Sequence, residues 1–295
     1  MRILVTGAQG MLGSDVVKVC LEHAYDVIAT DISSSGNKLD ITDEGSIRSA
    51  LSFIRPAWVI NCAAFTDVDA AEENEGTALA LNAVAPAMLA QACKENSVRI
   101  LHMSMNYVFD GTKDTPYTEY DIPNPINLYG RSKLEGEIGI TRHMEDFIIV
   151  RSQWLFGLHG KNFVSTIIKA AQENESLRVV NDQHGSPTYT KDLASAMVVL
   201  LEMDVRGIFH VCNRGKTTWY DLAKKSLELM DLDTKVIPVS TEEYPRPAKR
   251  PTNSVLSAKK FMETTGKLMP IWQISLKEYI QEFIHAERSS TSTRV

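Results

Sequence analysis

The chain has 295 residues, 44% of them hydrophobic and 23% charged, with a formal net charge of −6. That length suits one large α/β unit, or a nucleotide domain with a smaller companion, and the composition is that of an ordered globular protein. The acidity argues against a broad nucleic-acid-binding face but leaves room for a local basic pocket, and no apolar run approaches the ~20 residues that cross a bilayer.

Residues 3–6 form a short apolar strand, and Gly7-Ala8-Gln9-Gly10-Met11-Leu12-Gly13 leads from it into a helix over 12–23. Gly7, Gly10 and Gly13 at a strand-to-helix turn permit a tight backbone, approach of a diphosphate and close helix packing. The helix opening at Met11 and Leu12 directs its amides at that diphosphate. The strand at 25–30 ends on Asp31, whose carboxylate can accept hydrogen bonds from an adenosine ribose and would repel a phosphate there, favouring NADH. A strand-end cap is the plainer alternative. Asp40 and Ile41 bound an adenine site.

A helix over 47–53 and a strand over 58–61 follow, after which Ala63-Ala64-Phe65 offers compact backbone beside a cofactor. A helix over 77–95 carries Asn82, either a buried tether on the cofactor side or surface decoration. The strand at 99–103 runs into Ser104-Met105-Asn106, and residues 114–125 are too proline-rich for regular structure and suited to wall a pocket. The helix over 129–144 opens with Tyr129-Gly130-Arg131-Ser132-Lys133. Tyrosine and lysine four apart meet on one helical face, where the ammonium favours phenolate and the phenol exchanges a proton with a substrate oxygen.

With the strand at 147–151, these alternations predict a Rossmann-like α/β fold, a parallel sheet with helices on both faces, residues 1–152 forming the main dinucleotide-binding region. Helices over 163–173, 191–202, 219–230 and 270–285 predict a smaller mixed substrate lobe over 153–285, part of which returns to the sheet. The polar end at 286–295 reads as a flexible tail. Cys20, Cys62, Cys93 and Cys212 are scattered without a CxxC pair, so they read as buried small hydrophobes. With the chain entering a folded strand at once and no signal-peptide pattern, a cytoplasmic location is expected.

GAQGMLG at 7–13, INCAAFTDVDAAE at 60–72, SMNYVFDG at 104–111, NLYGRSKLEGE at 127–137, RSQWLFG at 151–157, NDQHGSPT at 181–188 and RPTNSVL at 250–256 occur in this order. Together they resemble the extended short-chain dehydrogenase/reductase family, in its dTDP-4-dehydrorhamnose reductase branch, over nearly the whole chain. The resemblance implies reduction of a ketone on a dTDP-linked deoxysugar by NADPH or NADH, with Tyr129 as proton donor and Lys133 on the nicotinamide ribose. On the substrate side it implies Ser104, Met105, Asn106, an aromatic wall at Trp154, Asn162 on sugar or phosphate oxygens, Gln183 near the nucleotide, and Arg246 and Arg250 at the diphosphate. Helix capping competes for Asn162, and a solvated charge run for the arginines. The resemblance also allows a homodimer with a structural Mg²⁺, for which Asp15 alone is too little; no catalytic metal is expected.

Family members read S-T-D-Y-V-F where this chain has Ser104-Met105-Asn106-Tyr107-Val108-Phe109. Met105 therefore stands in the place of a catalytic threonine, and a thioether cannot donate a proton. Ser104 is adjacent, but neighbouring side chains on a strand point to opposite faces, so it substitutes only if the strand end is irregular or a water relays it. The departure leaves open a reductase of this sugar, a reductase of another nucleotide deoxysugar, and a weakly catalytic or regulatory nucleotide-binding subunit.

Overall fold

Strands β1 (Arg2–Thr6), β2 (Asp26–Thr30) and β3 (Trp58–Asn61) are separated by helices α1 (Met11–Glu22) and α2 (Glu44–Ile54), as the hydrophobic pattern requires. The structure is a computed structural model that describes the backbone of residues 1–292 and the side chains of 1–288. Helices α3 (Val68–Glu73), α4 (Glu75–Leu79) and α5 (Ala85–Glu95) lead to β4 (Arg99–Met105), and α6 (Leu128–His143) leads to β5 (Phe147–Ser152). Beyond it come β6 (Leu155–Phe156), α7 (Phe163–Glu173), β7 (Ser176–Val180), β8 (His184–Gly185), β9 (Thr188–Tyr189), α8 (Thr190–Glu202) and β10 (Gly207–His210). The chain closes with β11 (Thr217–Thr218), α9 (Trp219–Leu229), β12 (Lys235–Val239), α10 (Lys259–Thr265) and α11 (Trp272–Ser292).

Six strands form one parallel sheet in the order β10-β5-β4-β3-β1-β2. Because β1 lies between β2 and β3, the chain winds first to one side and then to the other, which opens a crevice at the carboxyl ends of β1 and β3. Ile3, Leu4 and Val5 are wholly buried, as a strand covered on both faces demands. One face packs on α1 and α8 through Val16, Leu193 and Met197, the other on α2, α5 and α6 through Leu51, Leu89 and Ile140. A third apolar cluster, around Phe156, Ile168, Leu222 and Tyr279, holds α7, α9 and α11 together in the second lobe.

The helix expected over 77–95 is interrupted. A π-helical turn, Ala80–Val84, separates α4 from α5, and Pro86 lies in the first turn of α5. Proline has no N–H to give the carbonyl four residues back, and the carbonyl of Asn82 instead meets Gly136, where a Cβ would collide with it. Composition alone lets Glu75–Glu95 span a bilayer, contrary to the sequence expectation, but Ala85, Leu89, Ala90 and Cys93 are buried in the core of this domain. At the other end α11 continues through Ser292, past residue 286 where a tail was expected; residues 293–295 lie outside the described residues.

Below the carboxyl end of the sheet, the Arg151 guanidinium donates through Nε to Glu137 Oε1 at 2.9 Å and through Nη2 to Oε2, with both side chains 3% exposed. Ser104 Oγ donates to the same Oε1. Removing one partner of a buried ion pair strands the other charge, which typically costs about 3–5 kcal/mol. Glu137→Leu is expected to lower unfolding stability by about that much, and Ser104→Ala by only about 1 kcal/mol, measured by denaturant titration of the two variants.

Candidate active site

A cleft of about 1080 Å³ lies over the carboxyl ends of β1, β3 and β4. It exceeds the roughly 300–1,000 Å³ of usual ligand pockets and has room for two ligands together. Gly7, Gly10, Met11, Leu12, Gly13, Asp31, Asp40, Ile41, Ala63 and Ala64 all line it. Gly7 has a φ of 67°, and a Cβ there would lie 2.6 Å from the Ala63 nitrogen; a Cβ at Gly13 would fall on the Gly7 carbonyl. The glycines therefore set β1, α1 and the loop after β3 close enough to form a cradle. Gly10 caps α1 without a side chain, so no side-chain cap occupies the end of the helix that faces the cleft.

Asp31 accepts from the Gln9 N–H at 3.1 Å and from the Ser33 N–H at 3.0 Å. Burial opposes its ionisation, but these bonds and that from the Ser33 hydroxyl outweigh it and hold the carboxyl below its ordinary range. Asp40 turns back on Thr42, accepting from its N–H at 2.8 Å. Phe65 and Asn82 do not line the cleft. Asn82 accepts from the Phe65 N–H at 2.9 Å and donates to the Phe65 carbonyl and to Ser132 Oγ, each at 3.0 Å. It is thus the buried tether that the sequence allowed, between the cradle loop and α6, and not a direct cofactor contact in the cleft wall.

At the other end of the cleft stand Met105, Tyr107, Tyr129 and Lys133. Asn127 caps α6 by accepting from the Gly130 N–H at 2.7 Å, so the helix begins where its first turn places Tyr129 and its second Lys133. Lys133 Nζ donates to the Met103 carbonyl at 2.7 Å, and burial lowers its pKa to about 8 against the opposing pull of Glu137 and Cys62. The expected phenolate-favouring effect is not seen. Burial, aided by Tyr107, pushes the Tyr129 phenol up, because the ammonium is turned to β4. Tyr129 is a neutral phenol here, the state a proton donor requires.

The substrate-side expectations fare less evenly. Met105 reaches the cleft, but Ser104 points away into the Glu137–Arg151 pair, as strand alternation dictates, and is withdrawn as a substrate contact. Asn106 is also withdrawn. It opens a single 3₁₀ turn, Asn106–Val108, is fully buried, and neither amide atom has a hydrogen-bond partner, while the following Tyr107 takes the place in the cleft. Asn162 serves α7 as its cap, accepting from Ser165 N–H at 3.0 Å and donating to the Gly157 carbonyl at 2.8 Å. Gln183 lies outside the cleft lining, where its oxygen accepts from Trp219 Nε1 at 3.1 Å. Arg246 Nε and Arg250 Nη2 both donate to Asp69 at 2.9 Å, so the cluster is neither free nor part of the cleft wall.

Trp154 does line the cleft, with a φ of 48° that is strained for a non-glycine residue. Gly185 lies against its ring where a Cβ would collide, and Trp219 stacks on it at 3.6 Å with the planes 13° apart. Phe163 adds a third ring, 4.6 Å from Trp219. Sequence reasoning passed over Tyr107, Phe163 and Trp219. An aromatic immediately after a strand end, or at the first position of a helix, was the available signal.

Among the described residues no group of three His, Cys, Asp or Glu side chains is placed to hold a metal. Asp15, buried on α1, accepts instead from the Thr190 hydroxyl.

Residues 1–285 match the RmlD substrate binding domain family. A dTDP-4-keto-6-deoxy-D-glucose reductase of Streptomyces niveus is 39% identical, over 94% of this chain and 96% of its own. The crystal structure of a dTDP-4-dehydrorhamnose reductase from Clostridium acetobutylicum superposes with a TM-score of 0.91 at 41% identity, covering 95% of this chain and 99% of that one. A dTDP-4-dehydrorhamnose reductase of Bacillus anthracis, solved in complex with NADP, gives the same TM-score at 35% identity over 95% and 99% of the two chains. Cradle, Tyr/Lys pair and full-length similarity together place this chain in the RmlD family of extended short-chain dehydrogenases/reductases.

Proposed function

We propose that this protein reduces the 4-keto group of dTDP-4-dehydro-β-L-rhamnose to the alcohol of dTDP-β-L-rhamnose with NADH or NADPH, residues 1–152 with β10 carrying the cofactor and 153–285 forming most of the substrate lobe. The observation that carries this is the opening of Tyr129, Lys133, the glycine cradle and Asp31 onto one cleft. When bound, the nicotinamide supplies a hydride to the ketone carbon. As the carbonyl electron pair moves onto oxygen, Tyr129 gives that oxygen its phenolic proton, so ketone, hydride and proton sum to the alcohol. Lys133, with one proton on the Met103 carbonyl, would hold the nicotinamide ribose with the others, and Tyr129 is reprotonated from solvent. The apolar walls at Met105 and the Trp154–Trp219 stack would limit the access of water to the ketone. The partner is a dTDP-linked sugar, and four free cysteines suit a cytoplasmic setting.

The test is nicotinamide oxidation by the purified protein with dTDP-4-dehydrorhamnose. Turnover is expected, with Tyr129→Phe lower by roughly 10²–10⁴-fold while still binding cofactor; equal rates would reject the role of Tyr129, and no turnover with intact binding would favour a regulatory subunit or another sugar. Asp31 should give NADH the higher kcat/KM, and Asp31→Ser should cut that preference roughly tenfold or more by removing about 1.4 kcal/mol or more of charge repulsion. A preference for NADPH in the parent would count against the Asp31 assignment. Since Lys133 sheds its proton above about pH 8, kcat/KM for the cofactor should fall as pH rises through that value. A profile flat from pH 7 to about pH 10 would show that the ammonium is not needed.

A further inference from the structure

The replacement of a threonine by Met105 leaves β4 without a hydroxyl at the ketone, since Ser104 is held by Glu137 on the other face of the strand. Tyr107, two residues beyond Met105, lines the same cleft as Tyr129. The two rings meet edge to face, centroids 5.6 Å apart and planes at 79°, in one apolar cluster with Met105. The spacing is built in. A Cβ at Gly130 would collide with the Tyr107 carbonyl, so the glycine between Tyr129 and Arg131 lets α6 close directly onto the turn that carries Tyr107.

We propose that Tyr107 is a second hydroxyl donor to the substrate carbonyl oxygen, doing from the 3₁₀ turn what a threonine at position 105 would do from the strand, an assignment that rests on the reductase reading above. Among the described residues no protein group hydrogen-bonds the phenol of Tyr107 or of Tyr129, so both are free for one ligand oxygen. The other hydroxyls of the cleft, Thr42, Thr66 and Thr77, are on exposed residues, whereas Tyr107 is packed beside Tyr129. Burial pushes the Tyr107 phenol up, opposed by Arg250, whose guanidinium lies 5.9 Å from the ring centre; Tyr107 therefore donates a hydrogen bond while keeping its proton. Tyr129 remains the only group that transfers one. As the carbonyl oxygen gains the electron pair, the hydrogen bond from Tyr107 shortens and strengthens, which lowers the barrier without changing the stoichiometry.

Tyr107→Phe keeps the ring and its edge contact and removes only the hydroxyl. It is expected to lower kcat roughly a hundredfold with KM for the sugar nucleotide little changed, and with cofactor affinity and melting temperature as in the parent. Adding Met105→Thr to Tyr107→Phe should restore at least tenfold of the loss, because a threonine hydroxyl re-enters at the same oxygen. A Tyr107→Phe enzyme within about twofold of the parent, or one that Met105→Thr fails to rescue, would overturn the assignment. Failure of the reductase reading itself is separate: the parent would then show no difference from Tyr129→Phe.

Discussion

Helix α6 is pinned to the end of β4, and the candidate site depends on that contact. Lys133 spans it through one hydrogen bond to the Met103 carbonyl, and Gly130 and Gly136 remove the side chains that would hold the helix away from Tyr107 and from Asn82. Glu137, one turn further, closes the contact from below by pairing with Arg151 of β5. Along α6 a phenol and a cation thus face the cleft, two glycines meet the carbonyls of Tyr107 and Asn82, and a carboxylate meets Arg151 of the sheet. Each is within one or two turns of the next, so a small shift of α6 would disturb redox chemistry, cofactor grip and fold together.

What was legible in the sequence was whatever a short stretch of chain decides for itself. The glycine turn needs only local conformational freedom and the close approach of its own helix, and Tyr129 and Lys133 need only helical periodicity. The direction of Ser104 followed from strand alternation, and the structure places it accordingly. What could not be read depended on partners far along the chain. Asp69 captures Arg246 and Arg250 from about 180 residues away, and Gln183 is committed to Thr241 and Trp219, whereas Asn162 takes the helix-capping role that its own segment already offered. Polar residues in a family-like segment suggest ligand contacts, whereas buried polar groups first satisfy the fold. The break at Ala80–Val84 was hidden for a related reason, since a π turn keeps helical composition while moving one carbonyl.

Aromatic side chains dominate the part of the cleft where hydroxyls were expected. Trp154 is held in a left-handed backbone conformation, pressed against Gly185 and stacked on Trp219, and Trp219 in turn is oriented by Gln183. Such strain persists where surrounding contacts over-determine a side chain, as they do here. Met105 and this aromatic group make an apolar enclosure around a few protic groups, a setting in which each hydrogen bond to a developing oxyanion is worth more than it would be in water. The altered strand end and the retained tyrosines therefore belong to one design, with fewer donors in a drier site.

Isotope transfer tests the central claim most directly. With dTDP-4-dehydrorhamnose and NADH carrying deuterium at the transferable position of the nicotinamide, the product should hold one deuterium at C4 of the sugar, seen by mass spectrometry and NMR. A product with no deuterium, or with deuterium at another carbon, would contradict the placement of the sugar ketone beside Tyr129.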